Sequence, residues 1–132
     1  MHHLVYTSTA NFPLTKEELD RLLPQWREKN ARLGVTGMLL YSEGDIMQVL
    51  EGDAEALHTL FAAIAADVRH RGVTKLADGP VEGRVFADWS MRFRTVDAAY
   101  IARLVQQATP APGQARDLAP VLAAYVNQEP WV

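Results

Sequence analysis

The chain has 132 residues, 48% hydrophobic and 22% charged, with a formal net charge of −3, which is the size and balance of one globular domain with its own core. That charge provides no overall basic field for nucleic acid, and no apolar run approaches the roughly 20 residues needed to cross a bilayer. There is no cysteine, so disulfides, thiolate metal sites and cysteine nucleophiles are excluded; Met1-His2-His3-Leu4 lacks the basic and apolar regions of a signal peptide, and a cytoplasmic location is expected.

Leu4-Val5-Tyr6-Thr7-Ser8 is a short β-prone run ending in a polar loop. Thr15 and Glu18 then fit a capping box, Thr15 as N-cap and Glu18 reaching back. Leu19, Leu22, Leu23, Trp26, Asn30 and Leu33 follow at helical spacing, and Gly34 closes the helix. Pro24 falls inside that stripe and predicts a kink or a reset start. Val35 to Ser42 and Ile46 to Leu50 flank Glu43-Gly44-Asp45 as a hairpin. Asp53 is placed to cap a second helix with the stripe Leu57, Leu60, Phe61, Ile64 and Val68, ending in the basic Arg69-His70-Arg71 before Gly72. A weaker strand is predicted from Val73 to about Ala77. In the clearest one, Val85, Ala87, Trp89, Met91 and Phe93 alternate with Phe86, Asp88, Ser90, Arg92 and Arg94. Asp97 to Ala108 and Asp117 to Asn127 read as amphipathic helices separated by Pro110-Ala111-Pro112-Gly113.

The order β-α-β-β-α-β-β predicts an α+β, ferredoxin-like sandwich with a fifth strand added to its sheet. Two helices would cover one face, leaving the other to the C-terminal helices. The expected division is a domain over residues 1–96 and a helical extension over residues 97–132.

Three polar residues stand where this pattern calls for apolar ones. Tyr6 shares a face with Leu4, Gln48 shares one with Ile46 and Leu50, and Asn30 lies on the first helix's stripe. A buried amide or phenol without a partner costs about 1–3 kcal/mol. Nearby backbone could satisfy any one of them; three on neighbouring elements point to a polar ligand. Other chemistry is poorly supported. The histidines at 2, 3, 58 and 70 lack metal-ligand spacing, no phosphate-cradling glycine loop appears, and Ser8 has no evident His/Asp arrangement. No metal site is expected.

Val5-Tyr6-Thr7-Ser8, Asn30-Ala31-Arg32-Leu33-Gly34-Val35-Thr36-Gly37, Gln48-Val49-Leu50-Glu51-Gly52, Asp67-Val68-Arg69-His70 and Trp89-Ser90-Met91 occur in the order and at the separations of a known family. Over about residues 3 to 94 the chain resembles the BLUF domain (blue-light sensing using flavin). The resemblance implies a five-stranded ferredoxin-like sheet with a flavin ring between the two helices. It implies FAD as chromophore, with FMN and riboflavin ranking behind. It implies that Tyr6 donates an electron and proton to the photoexcited flavin, that Gln48 bridges the phenol to the flavin, and that Asn30 holds the pyrimidine edge. Asp67, Arg69 and His70 match positions near the flavin and its side chain; Trp89 and Met91 match the signalling end. Lys29, Ile46 and Pro24 depart from the family pattern without removing any of these residues. A photosensor is therefore expected, not an enzyme, acting through an unidentified protein partner or another copy of itself, since no effector domain follows in the chain. A homo-oligomer is expected, with no nucleic-acid or membrane partner. The alternatives are a flavin-free binding or dimerisation module of the same fold and a small flavoenzyme.

Overall fold

In this computed structural model, which describes residues 1–12, 14–87 and 90–108, the chain runs β1 (His2–Ala10), α1 (Lys16–Leu33), β2 (Thr36–Ser42), β3 (Asp45–Gly52), α2 (Ala54–Ala65), β4 (His70–Pro80), β5 (Arg92–Thr95) and α3 (Ala98–Ala108). The strands form one sheet ordered β4-β1-β3-β2-β5. Neighbours are antiparallel except β2 and β5, which are parallel. This is the ferredoxin-like arrangement expected from the element order, with the fifth strand beside β2.

Local chemistry sets the boundaries. The Thr15 hydroxyl accepts from the Glu18 amide at 3.1 Å and the Glu18 carboxylate accepts from the Thr15 amide at 3.4 Å, completing the capping box. Gly34 ends α1 in the left-handed region at φ 68°. The β2–β3 hairpin turns on Glu43 and Gly44 with φ values of 47° and 105°, the positive pair that a two-residue turn needs to match strand twist. The Asp53 side chain caps α2 by accepting from the Ala56 amide at 3.4 Å.

The sheet separates two cores. On one face α1 and α2 bring Leu19, Leu23, Leu57 and Leu60 onto Leu4, Tyr6, Leu39 and Leu50. On the other, Ile101 and Leu104 of α3 pack with Phe86 over Val5, Met38, Met47 and Val49. The covering of the second face by the tail is thus seen for α3, while the helix expected over Asp117 to Asn127 lies outside the described residues, as does Trp89.

Four expectations need correction. Of the two outcomes expected at Pro24, a kink or a reset start, the reset is overturned, because α1 continues through it; Leu19, Leu22 and Leu23 before it and Asn30 after it are all buried, and that packing outweighs the loss of one backbone donor. α2 stops at Ala65, so Val68 leaves the stripe and is exposed. Arg69 lies beyond α2, and His70 and Arg71 open a longer β4 instead of ending a helix. Gly72, at φ 64°, takes up an extra residue where the β1–β4 register shifts between Thr7 and Thr9. Finally, the last strand begins only at Arg92. Its alternation does not extend back to Val85, because Val85 and Phe86 pack in the α3 core while Met91 and Phe93 pack in the other.

Glu51 explains that last difference. Its carboxylate is buried on the α3 side of β3 and accepts from the backbone amides of Val85 at 2.6 Å and Phe86 at 2.9 Å. Arg84 adds hydrogen bonds to the Gly34 and Glu51 carbonyls at 2.7 and 3.1 Å. These bonds hold the backbone of residues 84–86 off the sheet ladder, so an alternating sequence does not become a strand.

The Thr36-Gly37 step has a steric reason. A Cβ on Gly37 would lie 2.9 Å from the Val49 carbonyl carbon and closer still to its oxygen, and both groups are backbone. Gly37→Ala is expected to destabilise the fold by about 2–3 kcal/mol through overpacking between two central strands, read as a lower urea midpoint at an unchanged m-value.

Candidate functional site

A cavity of about 290 Å³ opens between α1 and α2 above the sheet, close to the lower end of the roughly 300–1,000 Å³ usual for small-molecule sites. Its walls are mainly apolar, with Leu22 and Trp26 from α1, Leu60 and Ile64 from α2, and Leu39 and Ile46 from the sheet. Tyr6, Asn30 and Gln48 are the buried polar groups among its lining residues. Lys29, Asp67 and Arg69 stand at its more exposed rim.

Tyr6 and Gln48 meet because β1 and β3 pair them directly across the sheet. The Tyr6 hydroxyl donates to Gln48 Oε1. Burial, with the charge of Asp67 adding to it, pushes the phenol well above its ordinary value, so Tyr6 keeps its proton and remains the donor at any physiological pH. The Phe61 ring packs against the Tyr6 ring at 5.5 Å, tilted by 58°. On the other side of the amide, Gln48 Nε2 faces the Met91 sulfur at 3.5 Å. A thioether is a weak acceptor, so the nitrogen end of this amide is held far less firmly than its oxygen end.

Helix α1 fixes the approach of Met91. Arg27 Nε donates to the Met91 carbonyl at 2.7 Å, and Asn30 Nδ2 donates to the Ser90 carbonyl at 2.9 Å. Three residues apart, these side chains share one helix face and grip consecutive carbonyls just before β5. In the sequence, Arg27 carries no signal beyond its i,i+3 relation to Asn30.

His70 closes the far wall. Its Nε2 lies against the Ile64 carbonyl, which can only accept, so Nε2 carries the proton and Nδ1 can accept from the Ser8 hydroxyl at 3.0 Å. His70 thus ties the last turn of α2 to β1 with both ring nitrogens engaged. At the rim, Arg69 grips Asp67 through Nε at 3.0 Å and through its second terminal nitrogen at 2.5 Å. This two-point hydrogen bond holds the Asp67 carboxyl down at about 2.

The structure therefore gathers Tyr6, Asn30, Gln48, Asp67, Arg69 and His70 around one cavity. Met91 meets that group through Gln48, and Trp89 lies outside the described residues. The set fits a flat heteroaromatic ring: an apolar slot with a phenol, two primary amides and a charged rim. Amides can match either a donor or an acceptor on the ring edge.

Comparison with known proteins points the same way. Residues 1–92 match the model of the BLUF family, described as sensors of blue-light using FAD. The photoactivated adenylate cyclase subunit alpha of Euglena gracilis is 45% identical over 99 residues, 74% of this chain and 10% of that protein. The dark-state structure of the BLUF protein BlrB superposes with a TM-score of 0.74 at 30% identity, covering 95% of this chain and 96% of that one. The structure of Klebsiella pneumoniae BlrP1 with FMN and cyclic diGMP superposes with a TM-score of 0.66 at 30% identity, covering 94% of this chain and 34% of that one. The chain spans only about a tenth of the length of the curated cyclase relatives it matches.

The rim pair has a testable titration. Because the Asp67 carboxyl is depressed, the stability it contributes is present above its ordinary value of 3.8 and is lost as pH falls toward about 2. An NMR titration of the Asp67 carboxyl carbon is expected to show a midpoint near 2 in the parent and a return toward 3.8 in Arg69→Ala.

Proposed function

The chain belongs to the BLUF family of blue-light sensors that use flavin, and we propose that it holds FAD non-covalently in the cavity between α1 and α2 and signals through Tyr6, Gln48 and Met91 without turning over a substrate. The observation that carries this reading is the Tyr6–Gln48 hydrogen bond in the cavity wall, with the amide nitrogen on the Met91 sulfur. FAD is preferred because the family is described by it; FMN, named with the Klebsiella pneumoniae relative, ranks second.

A bound flavin supplies a light-absorbing ring that takes up an electron when excited. The protein's part is to hold one proton and one amide in defined places. Tyr6 keeps its hydroxyl proton aimed at Gln48 Oε1, so the phenol can release an electron and that proton together and recover both afterwards. Gln48 can re-pair by turning its amide, since among the described residues the partner of Nε2 is a weakly accepting thioether. Asn30 reaches the cavity from α1 and is assigned to the polar edge of the ring. The rim residues Lys29, Asp67 and Arg69 are assigned to the flavin side chain. His70 serves chiefly to hold the wall, as both its nitrogens already have protein partners. Trp89 is kept as an alternative electron donor.

Residues 1–96 form the sensor in this reading, and residues 97–132 form an extension of which α3 is the described part. Output passes to a protein effector, the arrangement suggested by the cyclase relatives, with self-association as a second route and no role for nucleic acid or membrane. No described helix is long and apolar enough to cross a membrane, and the proposed location is the cytoplasm.

Two substitutions test the switch. Gln48→Leu preserves volume and is expected to retain flavin while abolishing the reversible red shift of its absorption under blue light; a normal shift in that variant would overturn the mechanism. Tyr6→Phe removes only the hydroxyl. Bound flavin, slower fluorescence decay and no stable lit state are expected by transient absorption, and an unchanged photocycle would transfer the donor role to Trp89. Chromatography of the released chromophore distinguishes FAD from FMN.

A further inference from the structure

Two of the four histidines, which carry no metal-ligand spacing in the sequence, come together at the sheet edge. His2 opens β1, His58 lies on α2, and Asp78 lies on the edge strand β4. Both imidazoles present Nε2 to the same carboxylate, His2 at 2.5 Å from Asp78 Oδ1 and His58 at 2.9 Å from it. The three donor atoms all lie within 4.8 Å of one another. The two rings stand nearly perpendicular, 77° apart with centroids 5.3 Å apart. The His58 side chain is 51% exposed and that of Asp78 23%, which leaves access for an ion and water ligands.

From this geometry we propose that His2, His58 and Asp78 form a site for a divalent transition metal of the Zn²⁺ type. Two imidazole nitrogens and one carboxylate oxygen are a usual three-ligand protein set for zinc, with the fourth position left to water. Nitrogen donors argue against magnesium and calcium, which take oxygen. With bonds of about 2.0–2.2 Å, a tetrahedral ion needs its donors roughly 3.3 Å apart, so each imidazole nitrogen needs to move less than about 1 Å farther from Asp78 Oδ1. The spread is available because His2 and Asp78 come from neighbouring strands and His58 from a helix packed over them. Lys75 works against the ion: its ammonium group holds Asp78 Oδ2 at 2.8 Å, leaving Oδ1 as the coordinating oxygen and placing a positive charge beside it.

The competing account is that these groups form only a hydrogen-bonded cluster. The two accounts differ in what Lys75 and a histidine isostere should do. In the metal account, removing Lys75 frees a second oxygen and lifts a repulsive charge. Replacing His58 by glutamine keeps a hydrogen-bond donor to Asp78 but removes a good ligand.

The test is calorimetric titration of the full flavin-loaded chain with Zn²⁺, paired with thermal unfolding with and without the ion. One saturable site per chain and a raised unfolding temperature are expected. His58→Gln should weaken binding by at least about 10–100-fold, the range lost when merely an outer partner of a ligand is removed. Lys75→Met should tighten it by about threefold or more, as loss of a like charge at this range requires. The flavin absorption band of each variant reports that it is folded. The proposal is overturned if the parent gives no saturable heat and no thermal shift. It is equally overturned if His58→Gln binds as the parent does, or if Lys75→Met leaves the affinity unchanged or lowers it. None of His2, His58 and Asp78 lines the cavity that holds Tyr6 and Gln48, so failure of the metal proposal would leave the flavin reading intact.

Discussion

A phenol and a primary amide face each other on the apolar side of a sheet because β1 and β3 pair Tyr6 with Gln48. Much of the site depends on that register. Left alone, each group would cost about 1–3 kcal/mol on burial; paired, each satisfies part of the other. A slip of one residue between the strands would turn one of the two toward α3 and separate the phenol from the amide in the cavity between α1 and α2. The register is also heavily enforced, since Leu4 and Leu50 flank the pair on the same face while Val5 and Val49 pack on the opposite one. The pairing nevertheless satisfies the amide on one side only. Its oxygen takes a proper donor, while its nitrogen rests on sulfur. A rigid scaffold thus presents one group with a reason to move.

What that group would move against is held with equal care. Arg27 and Asn30 fasten the carbonyls of Met91 and Ser90 from the α1 side, and Glu51 fastens the amides of Val85 and Phe86 from the α3 side. Met91 is itself held at the α1-side anchor and leads directly into β5. From β5 the chain passes Val96, whose amide donates to the Tyr41 carbonyl at 2.9 Å, and enters α3. A rearranged Gln48 can influence α3 by this path only if it favours one arrangement of Met91 over another, because an equilibrium shifts by differential free energy and not by proximity. The weak Gln48–sulfur contact is where such a difference can arise, as it is exchanged cheaply.

The elements with strong local codes are legible in the sequence. The Thr15–Glu18 capping box, the Gly34 stop, the Gly44 turn and the Asp53 cap are decided within a few residues, so sequence suffices to place them. The same holds for Tyr6, Asn30 and Gln48, which stand out as polar residues on apolar stripes. Misreadings arose where a distant group decides. Val85 to Phe93 alternates as well as any strand, yet a carboxylate 34 residues earlier binds the Val85 amide and keeps it off the ladder. Val68 fits the α2 stripe, but β4 begins at His70 and the helix must end before it. The His2–His58–Asp78 cluster was invisible for the same reason: its members lie 20 and 76 residues from Asp78 along the chain, so no spacing rule could join them.

The polar groups around the cavity divide into two kinds, and the division bears on how it can work. At the rim and far wall the bonds are local or doubly anchored. Asp67 and Arg69 hold each other within one turn of chain, and His70 spans α2 and β1 with both nitrogens. These groups have little to gain from moving, and His70 holds the end of α2 to β1. In the wall formed by the sheet, by contrast, Tyr6 has one strong bond and Gln48 has one strong and one weak. A site whose frame is saturated and whose centre is not can change its hydrogen bonding without changing its shape. That property suits reversible sensing: the same cavity can hold the same ligand before and after, while a single amide carries the difference to the neighbouring strand.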